Sequence, residues 1–414
     1  MNGRRSVVIT GVGAVTPSGL TVPASWASVR AGRSGITRLP PEISGSRPVQ
    51  VGGVVRGFTT PVDLAASLAR HLTPMQQWAI TAADEALADA GVHGQPWQTD
   101  AAQVIVATGS GPVAATVHAA DALREHGPRR VPPGLTAYGT ADAIAGVLSR
   151  RYAFLGQTHA VAAACASGAV AIGEALRRIR HGYADTVLVV GMEDCLNPLH
   201  LAAHVNLRSV ATGFGDDPSS ASRPFDHART GFVMAQGAAA IMVESADAAR
   251  ERGIRPLATI AGFGATSDAH HATAPDPAAA RATRAIAACL TDADADAAEV
   301  DHVNTHGTGT ILGDEAELVA LTQALGRRAS SVPLTATKST TGHLLGAAGV
   351  VEAVIVAMTL RDQVLPPTMN LSHPCADDWD FVRDRERPHP VRTVLSTSFG
   401  FGGHNAALLL TASE

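Results

Sequence analysis

Short runs of apolar, β-branched residues recur along the chain, separated by glycine-rich turns or by longer stretches with helical spacing. Such runs, bounded by turn residues, are typical of buried strands. They predict strands at residues 6–16, 104–107, 159–164, 186–190 and 238–243. A helix is predicted over residues 73–91, because Thr73 can cap its start, Pro74 suits its first turn and Gly91 can end it. This alternation predicts an α/β fold.

The beginning of the chain is echoed in its second half. Residues 9–14, ITGVGA, resemble residues 260–265, IAGFGA. Short echoes can also arise by chance in a chain rich in glycine and alanine. If this echo is genuine, it predicts two similar halves, residues 1–252 and 253–414. A site shared by both halves would then lie at their junction, at the carboxyl ends of the strands.

Gly11 and Gly13 predict a turn at the end of the first strand. A Gly-x-Gly turn after a strand is a weak indication of dinucleotide binding, since the third glycine and the acidic partner of that motif are missing. The motif on its own therefore assigns no ligand.

Composition and charge exclude several classes of function. The 414 residues are 46% hydrophobic and 17% charged and include 40 glycines, which is typical of a compact globular protein with many turns. A formal net charge of −5 without a basic stripe argues against a nucleic-acid partner. The four cysteines form no CxxC pair, so neither a metal site nor a disulfide framework is expected. Neither a signal peptide nor a membrane-spanning stretch is found, and we expect a cytoplasmic protein without a membrane partner.

Cys165 lies at the centre of the hydrophobic pattern. The apolar run 159–164 leads to it, and the small residues Ala166, Ser167 and Gly168 precede a predicted helix. Because the start of a helix favours an anion, we expect the pKa of this thiol to be lowered and its thiolate to attack carbonyl carbons. The alternative is an inert, buried cysteine, the usual state of such a residue.

Three segments of the second half carry groups that a nucleophilic cysteine could use. His306 lies in a glycine turn, Lys338 and His343 flank a Ser/Thr cluster, and residues 396–405 form a glycine-rich loop. Glu352 follows near the start of a predicted helix. Each of these has an ordinary explanation by itself, because most histidines and lysines serve no catalytic purpose. One cysteine, two histidines and a glycine loop among small residues together indicate thioester chemistry.

Taken in order, these segments resemble the β-ketoacyl-acyl carrier protein synthases. The matching motifs are AAACASGA around Cys165, NTHGTGT around His306, TKSTTGHLLGAAG around Lys338 and His343, SRPFDHARTGFV from Ser222, and SFGFGGHN near the C-terminus. The resemblance extends from Val7 to Leu410 and is strongest to the ketosynthase I/II-type enzymes of fatty-acid and type II polyketide systems. It implies a thiolase-like α/β fold, in which two similar βαβαβαββ halves form a five-layered αβαβα core. It also implies a homodimer, or a heterodimer with a ketosynthase-like subunit.

The resemblance further implies an acyltransferase that performs a decarboxylative Claisen condensation. Cys165 would accept an acyl group from an acyl carrier protein, and the backbone N–H groups of Cys165 and Phe401 would form the oxyanion hole. Malonyl-acyl carrier protein would then lose CO₂ beside His306 and His343, which would stabilise the enolate. Attack of that enolate on the acyl group gives 3-ketoacyl-acyl carrier protein.

The other implied roles are supporting ones. Lys338 and Glu352 would orient and tune the two histidines. The substrates would arrive on the phosphopantetheine of the carrier protein, so no separate cofactor is expected. Thr308 and Thr310 would bind this arm. Phe399 and Phe401 would gate the pocket.

Two pocket positions depart from the pattern of the fatty-acid enzymes. Pro112 stands where a bulky aliphatic residue is common, and His204 stands where an aromatic residue is common. We therefore expect a substrate other than a plain saturated chain, more in keeping with a type II polyketide-like pathway. A repacked pocket without a change of substrate is the alternative.

The expected contact with the carrier protein also departs from the family pattern. Residues 73–78 lack the lysines and arginines that family members place at the start of this helix. Other basic residues could attract an acidic carrier. The candidates are Arg129, Arg130, Arg150 and Arg151.

An alternative function is a non-catalytic or chain-length-setting subunit of a heterodimer. The presence of Cys165 together with His306 and His343 disfavours it. An acyltransferase without decarboxylation is disfavoured because it would leave the second histidine without a role. Ketosynthase III enzymes pair the cysteine with histidine and asparagine, and thiolases use a second cysteine near the C-terminus, so neither class fits this sequence.

Overall fold

The computed structural model describes residues 4–45, 47–92, 97 and 99–413. The strands are β1 (Val7–Val15), β2 (Ile36–Arg38), β3 (Val51–Gly53), β4 (Ala102–Ala107), β5 (Thr158–Val161), β6 (Thr186–Glu193), β7 (Gly237–Ser245), β8 (Ala258–Ser267), β9 (His302–Asn304), β10 (Leu334–Thr335), β11 (Val364–Leu365), β12 (Arg387–Pro388), β13 (Thr393–Gly400) and β14 (His404–Thr411). The helices are α1 (Val22–Arg30), α2 (Pro41–Ser44), α3 (Ala66–Ala69), α4 (Pro74–Asp89), α5 (Val113–His126), α6 (Gly134–Tyr138), α7 (Ala143–Tyr152), α8 (Ser167–Arg180), α9 (Pro198–Asn206), α10 (Ala246–Glu251), α11 (Ala280–Ala293), α12 (Ile311–Leu325), α13 (Lys338–Thr341) and α14 (Ala348–Asp362). Within these described ranges, no helix has the length and apolar character needed to cross a membrane.

Ten strands form one mixed sheet, in the order β10-β9-β13-β14-β8-β1-β7-β6-β4-β5. The sheet consists of two sets of five strands, β5-β4-β6-β7-β1 and β10-β9-β13-β14-β8. In both sets the strands lie side by side in the same order, which is the third, second, fourth, fifth and first strand along the chain. In each set the first three strands are parallel and the last two are antiparallel. The two sets meet where β1 pairs with β8 over two residue pairs, Val8 with Thr259 and Ile9 with Ala258. This repeated order agrees with two similar halves, while the division after residue 252 stays a prediction.

The echoed sequences are β1 and β8, the central pair of the sheet. A Cβ atom on Gly11 or Gly13 would lie 2.1 or 1.9 Å from a backbone oxygen of α4. A Cβ atom on Gly262 or Gly264 would lie 2.4 or 2.1 Å from a backbone oxygen of α11. These glycines therefore let one helix approach each central strand closely. The turn predicted at Gly11 and Gly13 is wrong, because β1 continues to Val15 and the glycines serve packing.

Helices cover both outer faces of the sheet and fill the space between its halves. α4 and α7 pack on the outer face of the first half, and α11 and α12 pack on that of the second. α8 and α14 lie in the middle and contact strands of both halves. The layers therefore run helix, sheet, helix, sheet, helix, which confirms the five-layered α/β architecture.

The local predictions agree with most of the observed elements. The strands predicted at 104–107, 186–190 and 238–243 lie within β4, β6 and β7. The helix predicted over 73–91 is α4, where the Thr73 N–H donates to the Gln76 side chain at 2.9 Å. Gly91 follows α4 with a φ of +72°, a conformation that favours glycine after a helix.

Candidate active site

The residues singled out from the sequence follow equivalent strands of the two halves. Cys165 comes after β5 and Lys338 after β10, which are the third strands of their halves. His306 comes after β9, and Phe401 comes after β13. Reactive groups of α/β proteins collect at the carboxyl ends of parallel strands. The fold therefore brings together residues that are far apart in sequence.

Cys165 lies on a tight corner between β5 and α8. β5 ends at Val161, earlier than predicted, because the chain turns at Ala164, where φ is +49°. Ser167 Oγ accepts a hydrogen bond from the Ala163 N–H at 2.8 Å and donates to the Ala164 carbonyl at 2.6 Å. These bonds hold the corner, and the Cys165 side chain is held at the start of α8 with 8% exposure.

The predicted lowering of the Cys165 pKa is wrong. Burial raises the pKa of this thiol to about 12, and the negative charge of Glu193 adds to the rise. The ammonium of Lys338 and nearby backbone N–H groups oppose the rise without cancelling it. The resting thiol is therefore protonated at neutral pH, because the cost of burying a thiolate exceeds the benefit of the helix start.

The loop that follows β13 lies directly against the Cys165 corner. A Cβ atom on Gly400 would lie 2.9 Å from the Ala163 carbonyl oxygen and 3.0 Å from the Cys165 nitrogen, so the position requires glycine. The backbone N–H groups of Phe401 and of Cys165 itself are directed at the sulphur and lower its pKa. Two fixed donors beside a thiol are the arrangement that an oxyanion hole needs.

His306 is positioned through its backbone by α12. Glu317 accepts hydrogen bonds from the N–H groups of His306 at 2.7 Å and Gly307 at 2.8 Å, and from the Thr397 hydroxyl at 2.5 Å. Burial raises the pKa of the Glu317 carboxyl, and these donors oppose the rise. The carboxylate thus fixes the turn that presents the His306 ring.

Lys338 lies behind His306 and selects its tautomer. Its Nζ contacts the Glu352 carboxylate, donates to the His306 carbonyl oxygen at 2.6 Å and lies 3.5 Å from His306 Nδ1. An ammonium beside Nδ1 favours a lone pair on that nitrogen and a proton on Nε2. His306 therefore presents an N–H donor on the side away from Lys338.

His343 has no hydrogen-bond partner on either ring nitrogen among the described residues, although it is only 2% exposed. Burial, assisted by the charge of Lys338, lowers the pKa of His343 and that of His306 well below the ordinary value for histidine. Both rings are therefore neutral at pH 7. A buried polar group without a partner costs on the order of 1–3 kcal/mol, so the His343 ring is poised for a group that enters the site.

One cavity joins these residues. Cys165, His306 and His343 line it, and the two imidazole centroids lie 5.3 Å apart with their planes nearly perpendicular. The predicted substrate contacts that also line it are Thr308, Thr310, Phe399 and Phe401. The structure thus brings Cys165, two neutral imidazoles and the two threonines to one space.

Two predicted pocket residues lie outside this lining. His204 packs beside it, with its ring 6.4 Å from that of Phe401 and 5.7 Å from that of Phe232. Pro112 is buried at the residue before α5. Lys338 and Glu352 are also outside the lining: Lys338 contacts the back of His306, and Glu352 contacts Lys338. Direct contact of Pro112 or His204 with a substrate stays a prediction.

Two family models match this chain. The model described as "Beta-ketoacyl synthase, N-terminal domain" matches residues 4–249, and the one described as "Beta-ketoacyl synthase, C-terminal domain" matches residues 257–372. The chain belongs to the β-ketoacyl synthase family. The resemblance deduced from the motifs is confirmed.

Curated relatives span the whole chain. The 3-oxoacyl-[acyl-carrier-protein] synthase 2 of Coxiella burnetii is 36% identical over 409 residues, 99% of each chain. The enzyme of the same name from Vibrio cholerae is 37% identical over 418 residues, 98% of this chain and 99% of the relative. This ketosynthase is therefore an acyltransferase-class enzyme.

Solved structures confirm the thiolase-like fold. A β-ketoacyl synthase from Burkholderia phymatum superposes with a TM-score of 0.92 at 32% identity, covering 99% of this chain and all of its own. A type II polyketide ketosynthase in complex with its acyl-carrier protein, bound to the hexaketide, superposes over both full chains with a TM-score of 0.89 at 26% identity. The ishigamide ketosynthase/chain length factor does so with a TM-score of 0.87 at 28% identity.

The sequence analysis missed three residues at this ketosynthase site. Glu317 anchors the His306 turn, Glu193 lies under the junction of the halves, and Phe232 packs edge-on against His343 with centroids 5.3 Å apart. Glu317 could have been found, because it shares a helical face with the buried Ala320 and Leu321. An acid on an apolar face is rarely left without a structural partner.

Proposed function

We propose that this enzyme performs a decarboxylative Claisen condensation between an acyl group on Cys165 and malonyl-acyl carrier protein, giving 3-ketoacyl-acyl carrier protein. The observation that carries the proposal is the single cavity in which Cys165 faces the neutral rings of His306 and His343. An acyl transfer alone needs a nucleophile and an oxyanion hole. The pair of neutral imidazoles suits the stabilisation of an enolate.

In the first step, Sγ of Cys165 attacks the carbonyl carbon of the acyl-carrier thioester. A C–S bond to Cys165 forms, the C–S bond to the carrier breaks, and the carrier leaves as its thiol with the proton that Cys165 gives up. The backbone N–H groups of Cys165 and Phe401 stabilise the oxyanion of the tetrahedral intermediate. The raised pKa of Cys165 means that this proton leaves during the attack.

In the second step, the bond between the malonyl carboxylate and its α-carbon breaks and CO₂ departs. His306, through Nε2–H, and His343 donate to the thioester oxygen, where the negative charge collects. The α-carbon then bonds to the acyl carbon, the bond to Cys165 breaks, and the thiolate takes a proton from solvent. Lys338 and Glu352 hold His306 in the donor tautomer throughout.

The phosphopantetheine arm would enter past Thr308 and Thr310, whose hydroxyls lie 3.1 Å apart in the lining. Both can exchange their mutual hydrogen bond for bonds to the amides of the arm. Phe399, near the end of β13, and Phe401, just after it, line the cavity together with Cys165. Both rings would move when an acyl chain enters. The arm belongs to the substrate, so the reaction as proposed needs no separate cofactor.

The substrate we propose is a chain other than a plain saturated one, in a type II polyketide-like pathway rather than in bulk fatty-acid synthesis. The support is His204, a polar ring packed against Phe401 beside the nucleophile. Two structural relatives are polyketide or ishigamide ketosynthases, whereas the curated relatives share the name 3-oxoacyl-[acyl-carrier-protein] synthase 2.

The test is a panel of carrier-bound acyl chains, with product formation followed by mass spectrometry after malonyl carrier is added. We expect 3-ketoacyl product from functionalised chains and weak use of saturated ones. Each buried methylene is worth about 0.8 kcal/mol, so an apolar tunnel would reward length. Rates that climb with saturated chain length would contradict the substrate proposal, and absence of product from every chain would contradict the condensation.

The alternative proposal is a non-catalytic or chain-length-setting partner subunit. This alternative has a structural precedent, because one similar solved structure is the ishigamide ketosynthase/chain length factor. The presence of Cys165, and the cavity that it lines with His306 and His343, favour the catalytic role.

We further propose a homodimer or a ketosynthase-like heterodimer, and a cytoplasmic location. The division between the two halves would follow residue 252, between the two family-model matches.

We propose Arg208 as a contact for the acidic carrier protein. It is exposed, and its neighbour Ser209 accepts a hydrogen bond at 3.0 Å from the N–H of Phe232, which lines the cavity. Ile311 and Leu312, 55% and 57% exposed, follow directly on the cavity-lining Thr310. An exposed cation and exposed apolar side chains, each next in sequence to a segment that adjoins the cavity, suit an acidic, amphipathic partner.

The basic residues named from the sequence divide into two groups. Arg151 does not suit a carrier contact, because it is only 22% exposed and pairs with Asp63 and Asp84. Arg129, Arg130 and Arg150 are exposed and remain candidates.

Replacing Arg208 by glutamate should raise KM for malonyl carrier by roughly tenfold, because the variant repels the acidic partner. kcat and the use of a small malonyl-pantetheine thioester should change little. The control is Arg250→Glu on α10, which follows the end of β7 beside the start of the antiparallel β6. Equal effects of the two variants, or an unchanged KM for the carrier, would rule out this contact.

A further inference from the structure

Glu193, the last residue of β6, is fully buried and surrounded by neutral donors. Its Oε2 accepts from the Gly109 N–H at 2.6 Å and from the Gly346 N–H at 3.0 Å. Its Oε1 accepts from the Thr108 hydroxyl at 3.2 Å and from the Ser110 N–H at 3.3 Å. No ion pair to this carboxylate is found among the described residues. These four hydrogen bonds come from two segments, residues 108–110 and Gly346.

These contacts join the two halves of the enzyme. Gly109 lies in the turn after β4, whereas Gly346 lies in the loop between α13 and α14 that carries His343. A Cβ atom on Gly346 would lie 2.0 Å from the Gly109 nitrogen, so the two backbones touch. The carboxylate of Glu193 bridges the two N–H groups at this point.

From this bridge, short chains of bonds lead to both reacting centres. The Thr108 carbonyl lies 3.3 Å from Ser167 Oγ, the group that holds the corner of Cys165. On the other side, Gly346 is three residues from His343, whose backbone N–H donates to the Val233 carbonyl at 2.7 Å. Glu193 thus touches the supports of the nucleophile and of the enolate-binding imidazole.

We propose that Glu193 is a positioning residue that sets the separation and alignment of Cys165 and His343 by tying the turn at 108–110 to the loop at 346. The inference rests on the proposed condensation. It assigns the carboxylate to the second step, because acylation needs only the Cys165 corner and the Phe401 loop. A displacement of about 1 Å between reacting groups can cost on the order of 10²-fold in rate.

Glu193 also acts on Cys165 through its charge. The charged and titratable groups around the pair are Lys338, whose charge acts on Cys165 from behind His306, and Asp194 and Cys195, which adjoin Glu193. His306 and His343 line the cavity with Cys165. The negative charge of Glu193 raises the pKa of Cys165, while Lys338 lowers it. Removing that charge should therefore shift the titration of Cys165 to lower pH, which a purely structural role would not do.

The test is Glu193→Gln, with the buried Glu244→Gln as its matched control. Glu244 is equally buried but bonds Arg252 and Thr10, away from the cavity. In Glu193→Gln we expect acylation of Cys165 within a few-fold of the parent, and condensation kcat lower by roughly ten- to a hundred-fold with little change in KM for malonyl carrier. Alkylation of Cys165 by iodoacetamide, followed on its peptide, should reach half its limiting rate at lower pH. Glu244→Gln should change thermal stability alone.

The proposal is overturned if acylation and condensation fall in parallel in Glu193→Gln and the alkylation profile matches that of the parent. Should that variant fail to fold, Thr108→Val removes the hydroxyl donor and keeps the charge. A reduced ratio of condensation to acylation in Thr108→Val supports the link, and an unchanged ratio overturns it. If the parent enzyme itself performs no condensation, the proposed function fails, and the alkylation profile still decides whether Glu193 acts on Cys165.

Discussion

Cys165→Ala should remove covalent acylation and reduce condensation by roughly 10⁴–10⁶-fold, since the acyl group then has no protein atom to bond to. Cys165 is the cysteine that lines the cavity with His306 and His343. Intact-protein mass after mixing with acyl carrier measures the acylation directly. The parent should gain the mass of the acyl group, and the variant should not.

Two controls make this result specific. Cys289→Ala removes a buried thiol from α11, in the outer core of the second half, and should leave acylation intact. Release of CO₂ from malonyl carrier should persist in Cys165→Ala, because the histidines that we propose to stabilise the enolate are still present. A mass gain that survives the substitution would show that another residue carries the acyl group.

His343→Ala should leave acylation of Cys165 intact and lower condensation by about 10²–10³-fold, the usual cost of removing one donor from a developing oxyanion. Neither ring nitrogen of His343 has a hydrogen-bond partner in the part of the chain that the structure describes, so the ring makes no such bond there that the fold would lose. The decisive measurement is the rate of CO₂ release from malonyl carrier beside the amount of acyl-enzyme. Release should fall together with product formation.

Two further variants separate donation from structure. His343→Asn keeps a neutral N–H donor and should recover part of the lost rate. His302→Gln changes a buried histidine on β9 that bonds Thr335 and does not line the cavity, so it should leave the ratio of condensation to acylation unchanged. Loss of acylation in His343→Ala would contradict its assignment to the second step.

Sequence motifs singled out the residues that line the cavity, Cys165, His306 and His343, because each lies in a short, contiguous pattern. The strand, the small-residue corner and the helix around Cys165 are local features, and so are the glycine turns at His306 and Phe401. The supports of these residues are not local. Glu193 and Gly346 are 153 residues apart, and nothing in either segment points to the other.

The sequence erred where burial opposed a local rule. A cysteine at a helix start is expected to be acidic, yet the packed surroundings of Cys165 raise its pKa to about 12. Gly11 and Gly13 fit a turn by composition, but their missing side chains serve the approach of α4 to a continuous strand. In both cases the deciding atoms belong to elements distant in the chain.

Hydrophobic periodicity and local motifs determined the α/β class, most of the strands and the choice of Cys165, His306 and His343 as candidate site residues, because strand, turn and helix preferences act over a few residues. Tertiary structure alone decided that both imidazoles are neutral, that His306 presents Nε2–H, and that a buried carboxylate joins the two halves. Charge states and tautomers depend on desolvation and on neighbours within a few ångströms, and folding is what supplies those neighbours.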